Sequence, residues 1–189
     1  MDHLVTLLML SLGLSLDDFG IAVALSLLTL TESLKRRMIY AGKIAVAFSV
    51  STALLPLAGW ALGLAVYEWL ESYGDWIVLA AFCGVGSWII LEALKEHEEP
   101  KVTRMDSYSF WILVSTGTLG SIDEGIVGVS YPFLEIPVQW IIAAVIMANT
   151  LLVYVAMLLG IWMKRLSGKP ASIISGAILI SIGILNFFS

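Results

Sequence analysis

Residues 11–20 read Ser11-Leu12-Gly13-Leu14-Ser15-Leu16-Asp17-Asp18-Phe19-Gly20, an adjacent pair of aspartates in the middle of an apolar run covering roughly 4–30. A membrane-spanning helix needs about 20 mostly apolar residues, so the run is long enough to cross. An acid at a helix centre costs about 2.5–3.5 kcal/mol on the insertion scale, while a Leu or Ile returns only about 0.3–0.6. The pair therefore offsets about ten leucines of the same helix. Nothing in helix formation requires that expense, so the two acids are candidate functional groups.

Working outward, five more stretches qualify as spans: 44–66, 76–94, 109–133, 138–162 and 171–188. Their lengths favour helices over barrel strands, which run about ten residues. The 189-residue chain is 59% hydrophobic and 13% charged, with a mean hydropathy of +0.95. That composition excludes a water-soluble enzyme and a disordered chain, and no basic surface is present to bind nucleic acid. The single Cys83 excludes a disulfide framework and any multi-cysteine metal site. The expected fold is an all-α membrane protein of six transmembrane helices, with the lipid bilayer as its surroundings. The first span opens on Met1-Asp2-His3 without a basic n-region, which argues against a cleaved signal peptide.

All ten Lys and Arg fall in alternate connections: Lys35, Arg36, Arg37 and Lys43; Lys95, Lys101 and Arg104; Lys164, Arg165 and Lys169. The opposite connections carry Glu68, Glu71, Asp75 and Glu135. By the positive-inside rule the basic loops are cytoplasmic and both termini lie outside, the orientation expected in a cell (inner) membrane. Trp69, Trp76, Trp140 and Trp162 sit near span ends, as in an interfacial belt. Glu92 closes the third span where it can snorkel to water, and Cys83 reads as a small core residue.

The longest polar stretch, Lys95 to Ser107, divides the chain, and the same pattern recurs on each side. Ser15-Leu16-Asp17-Asp18 matches Ser121-Ile122-Asp123-Glu124, and Thr52…Gly63 matches Asn149…Gly160. Three spans per half is an odd number, so the second half is expected upside down relative to the first. The reading is two inverted three-helix repeats, 1–94 and 109–189, joined by a cytoplasmic loop at 95–108. Inverted repeats recur among secondary transporters, whose substrate sites lie at the midplane between the halves.

Asp17, Asp18, Asp123 and Glu124 are the four charged residues near span centres, and no Lys or Arg lies at that depth. Helical spacing puts Ser11, Ser15 and Asp18 on one face, and likewise Gly117, Ser121 and Glu124; Asp17 shares a neighbouring face with Gly13 and Gly20. Gly117, Gly120, Gly125 and Gly128 make the fourth span a candidate broken helix whose unwound backbone can add carbonyl oxygens. Both histidines, His3 and His97, lie outside the membrane. The core thus offers oxygens: the four carboxylates, the Asn149 amide and, as secondary candidates, the hydroxyls of Thr52, Ser15 and Ser121. An all-oxygen set suits Mn²⁺, Mg²⁺ or Ca²⁺. The metal is then a transported substrate, with no permanently bound cofactor.

At the Ser15–Phe19 and Ser121–Gly125 motifs the chain resembles the MntP family of bacterial manganese exporters, within the LysE-like superfamily, as a divergent member. The resemblance extends to Pro56-Leu57-Ala58-Gly59-Trp60, Asp75-Trp76-Ile77, Glu92 and Gly183. It implies Mn²⁺ efflux through a midplane site using the aspartates matched by Asp17 and Asp123. Two departures stand out. Thr52 occupies the position of a family glutamate, four residues before the proline, while Asp18 and Glu124 stand where the family usually has small residues. The carboxylate count is kept or raised, with the charges moved.

The leading reading is therefore export of a divalent cation, Mn²⁺ as the resemblance implies, by alternating access. Competing readings are export of an amino acid or other small cation, and a non-transporting membrane scaffold. An enzyme is disfavoured by the absence of any intramembrane His or Ser–His pairing. Asp17→Asn or Asp123→Asn is expected to abolish metal-dependent transport in liposomes while the protein stays folded; unchanged flux in both variants removes these residues from the mechanism.

Overall fold

The computed structural model describes residues 3–27, 29, 32–95, 109–134, 136–163 and 169–188. The side chains of Asp17, Leu119, 160–163 and Lys169 also lie outside the description. So do most of the expected linker at 95–108, with Lys101 and Arg104, and the basic residues Lys164 and Arg165.

The described residues form seven α-helices: α1 His3–Leu27, α2 Leu34–Leu70, α3 Gly74–Leu94, α4 Phe110–Gly120, α5 Ile122–Gly128, α6 Val138–Met163 and α7 Lys169–Phe187. Short 3-10 turns at Glu71–Tyr73 and Tyr131–Phe133 precede α3 and follow α5. Among the described residues three stretches are long and apolar enough to cross a membrane, Leu34–Leu94, Val138–Leu159 and Pro170–Phe187. The first of these contains both α2 and α3. A fourth is α1, counted as one span across a bend of 42° between His3–Leu16 and Asp18–Leu27.

Two elements differ from the expected spans. The second span, read as 44–66, belongs to a 37-residue helix that starts ten residues earlier. Ser33, in extended backbone, caps it by accepting from the Arg36 N–H, so the basic run continues the helix instead of ending it. The stretch 109–133 is interrupted at Ser121 (φ −99°, ψ 14°) into α4 and α5. The first acidic motif thus lies at a bend of α1 and the second at the break between α4 and α5.

Contacts between helices settle their directions. Gly176 of α7 abuts Gly86 and Ile90 of α3, and Gly183, further along α7, abuts Leu79, Phe82 and Cys83, so these two helices are antiparallel. Ser15 bonds to the Val145 carbonyl and Asp18 to Asn149, so α1 and α6 are parallel. Ser51 meets Val114 and Thr118, Leu55 meets Gly125 and Gly63 meets Val129, so α2 runs parallel to α4 and α5. Gly42 beside Tyr154 and Thr52 beside Asn149 make α2 and α6 antiparallel.

Glycine permits the closest crossings. A Cβ on Gly59 would overlap the Gly125 carbonyl, and one on Gly128 would lie 2.5 Å from the Pro56 carbonyl. At the α3–α7 crossing the relation is reciprocal: a Cβ on Gly86 would lie 2.6 Å from the Gly176 oxygen, and one on Gly176 2.5 Å from the Gly86 oxygen. Such small-residue contacts let backbones approach where lipid offers no hydrophobic incentive for association.

The buried apolar residues form two clusters. One gathers Phe19, Val23, Ile44, Phe48, Leu113 and Met157 toward the end bearing Lys35–Arg37. The other gathers Leu10, Leu14, Phe82, Val127, Tyr131 and Ile141 toward the opposite end. Between them lie buried Ser15, Asp18, Ser51, Thr52, Ser121, Glu124 and Asn149. The exterior is apolar, with Leu54, Leu62, Trp69, Trp140, Met147 and Leu151 exposed, a surface fitted to lipid and not to water.

Gly59→Ala is expected to force α2 off α5 and cost about 1–3 kcal/mol as overpacking. Gly84, whose Cβ would meet nothing within 4 Å, is the control: Gly84→Ala should leave the detergent melting temperature unchanged or raise it.

Candidate functional site

Asp18 enters from α1 immediately beyond its bend. Its Oδ2 accepts from Asn149 Nδ2 of α6 at 2.7 Å and from Thr52 Oγ1 of α2 at 3.2 Å. Asn149 Nδ2 also donates to Thr52 Oγ1 at 3.1 Å, so the threonine hydroxyl accepts from the amide while donating to the carboxylate. An ionised carboxylate only accepts, which turns the Asn149 nitrogen toward Asp18 and its Oδ1 away. That Oδ1 is buried and has no hydrogen-bond partner among the described residues.

The interruption between α4 and α5 lies against the same carboxylate. A Cβ on Gly120 would sit 3.7 Å from Asp18 Oδ1, so only a glycine-thin backbone separates them. The next residue, Ser121, donates its N–H to the Gly117 carbonyl at 2.9 Å, and its buried Oγ has no partner among the described residues. On α2, Pro56 stands four residues after Thr52 and has no N–H, which leaves the Thr52 carbonyl without its usual intrahelical donor. Carboxylate, amide, hydroxyl and backbone oxygens therefore gather where α1, α2, α6 and the α4–α5 junction meet.

Asp18 and Glu124 are each 2% exposed. Glu124 shares the buried face of α5 with Val127 and Gly128, while Asp123 is half-buried. Both acids occupy the first turn of α5, where the aligned peptide dipoles favour negative charge. Ser15 has a different attachment: its hydroxyl reaches the Val145 carbonyl at 3.4 Å and ties α1 to α6. The Asp17 side chain lies outside the described residues. Among the described residues, no three of His, Cys, Asp and Glu come close enough together to hold a metal ion.

Two features were missed in the sequence reading. Ser51 bridges to Thr118 at 3.1 Å and to the Val114 carbonyl at 3.2 Å, a polar tie between α2 and α4 beside Thr52. Tyr131 is wholly buried and its hydroxyl has no hydrogen-bond partner among the described residues. It opens the 3-10 turn three residues after α5 ends and packs with Val127, which shares the buried face of α5 with Glu124, and no signal in the sequence marks it.

Residues 33–187 match the family model Mntp, described as "Putative manganese efflux pump". The chain belongs to the MntP family. Two relatives, each named "Putative manganese efflux pump MntP", come from Yersinia pestis (strain Pestoides F) and Yersinia pseudotuberculosis serotype O:1b (strain IP 31758). Each is 31% identical over 176 residues, covering 93% of this chain and 90% of the relative. No solved structure matches. In this MntP member the Thr52 hydroxyl donates to Asp18 and so joins α2 to α1.

Asn149→Leu removes the donor to Asp18 and is expected to destabilise the protein by about 1.5–3 kcal/mol, the worth of a hydrogen bond to a charged group. Thr52→Val, losing the longer bond, should cost less. Because both donors serve one oxygen, the double variant should depart from additivity by at least about 0.5 kcal/mol, checked by denaturation of all four proteins in detergent.

Proposed function

We propose that this protein exports a divalent metal cation, Mn²⁺ in the first instance, from the cytoplasm by alternating access at the layer containing Asp18 and Glu124. The single observation that carries the reading is the burial of these two acids, one from each half of the chain, in a polar layer between two apolar clusters. Intramembrane acids are expensive and mark ion paths. Asp18, Glu124 and Asn149 Oδ1 are the ligands proposed first, with Asp17 and Asp123 contributing and Ser121 and Thr52 adding neutral oxygens. Oxygen donors of this kind suit a hard divalent ion.

The architecture in this reading is six spans in two inverted halves, 1–94 and 109–189, with basic loops cytoplasmic and both termini outside. Helix directions support it: the first span is parallel to the fifth, the second to the fourth, and the second is antiparallel to the fifth, as alternating spans require. The packing is also reciprocal, since Gly86 faces Gly176 and Thr52 faces Asn149, pairs drawn from matching spans. One acidic motif bends its helix and the other breaks it, in keeping with the discontinuous helices at midplane sites of repeat transporters. Opening either apolar cluster would admit water to the layer from one side. The relatives' names supply manganese and the outward direction.

Calorimetric titration of the purified protein with Mn²⁺, Mg²⁺, Ca²⁺ and Zn²⁺ at two pH values tests the site. Mn²⁺ is expected to bind ahead of Mg²⁺ and Ca²⁺, with affinity rising as pH rises because ligand protons are displaced. Asp18→Asn should weaken Mn²⁺ binding by about 10-fold or more and stop flux in proteoliposomes. Wild-type binding and flux in that variant would overturn the reading.

A further inference from the structure

Tyr131 stands one step beyond the carboxylate layer, on the side away from the basic loops. It is 1% exposed, in the 3-10 turn that follows α5. Its ring packs in the apolar cluster with Leu10, Leu14, Phe82 and Val127, where every other buried member is a hydrocarbon side chain. Its hydroxyl has no hydrogen-bond partner among the described residues. Were shape the only demand, phenylalanine would fill that space without burying an unmet polar group.

The surroundings of the ring give the hydroxyl a task. Val127, packed in the same cluster as the ring, shares the buried face of α5 with Glu124, and Tyr131 follows three residues after α5 ends. The hydroxyl lies in the field of Glu124 and Asp123. The segment carrying it is held in place. A Cβ on Gly63 would overlap the Val129 carbonyl and lie 3.0 Å from Pro132 Cγ, so the backbone on either side of Tyr131 is seated directly on α2.

We propose that the Tyr131 hydroxyl is the relay oxygen on the outward leg of the path, a neutral ligand that takes the cation over from Glu124 as it leaves. The assignment rests on the transport reading above and deepens it. An ion that binds at carboxylates must also be able to leave them, and a weaker neutral site further along lowers the step out. Phenolic oxygen supplies one ligand atom without a second negative charge to trap the ion.

Tyr131→Phe removes that oxygen and nothing else. In proteoliposomes its maximal Mn²⁺ flux is expected to fall about tenfold, the equivalent of roughly one ligand contact, with an unchanged half-saturating concentration. Equilibrium Mn²⁺ binding by calorimetry should stay within about twofold of wild type, since the relay acts after binding. The melting temperature should hold or rise, because an unmet buried hydroxyl has gone. Wild-type flux in Tyr131→Phe overturns the relay, and so does a flux loss matched by an equal loss of binding, which would make the tyrosine part of the binding set. Asp18→Asn run in parallel separates the two levels. If it stops flux while Tyr131→Phe does not, only the tyrosine's role falls; if it too leaves flux intact, the transport reading falls and the relay with it.

Discussion

The contact between Asn149 Nδ2 and Asp18 Oδ2 is the interaction on which the rest of the arrangement depends. A carboxylate at the centre of an apolar helix carries an insertion cost of about 2.5–3.5 kcal/mol. Hydrogen bonds to a charged group return about 1.5–3 kcal/mol each, so the amide and the Thr52 hydroxyl together are enough to offset it. The same two bonds set the register of three helices. One residue's slip of α1, α2 or α6 would turn its polar side chain by about 100° and leave the carboxylate among hydrocarbon. A group that is costly to bury thereby specifies how the bundle assembles.

The polar layer also divides the core. Phe48, Met157 and their neighbours close one side, and Phe82, Tyr131 and Ile141 close the other. Glycines carry the crossings that hold these clusters together, at Gly59 and Gly63 against α5 and the turn beyond it, and at Gly86 against Gly176. Backbone-to-backbone contact of this kind is close but has little interdigitation, and it allows packed helices to slide or rock as units.

The contact between Thr52 and Asp18 ties two helices together at the polar layer. Along the sequence the two residues are 34 positions apart, one in α1 and one in α2. In space the two positions are adjacent, joined by the 3.2 Å bond between Thr52 Oγ1 and Asp18 Oδ2. The carboxylate is carried by α1, and its neighbour on α2 supplies a hydrogen-bond donor. A count of acids per helix would miss this pairing, which only the geometry shows.

Much of this was legible in the linear chain. Hydropathy over some twenty residues marks the apolar helices, and 3.6-residue periodicity puts Ser11, Ser15 and Asp18 on one buried face of α1, because both are properties of a single helix. The glycines around Ser121 anticipated the interruption there. The early start of α2 was obscured because Lys35–Arg37 are polar enough to end an apolar span without ending a helix. Tyr131 carries no mark in the sequence, since an unmet hydroxyl is visible only once its surroundings are. Sequence alone thus determined that four acids lie within apolar helices and which face Asp18 occupies, for those depend on local composition and period. Only the tertiary structure decided that Asp18 meets Thr52 and Asn149, 34 and 131 residues away, because the choice of partner is made by how the helices cross, and crossing geometry depends on contacts between residues remote in the chain.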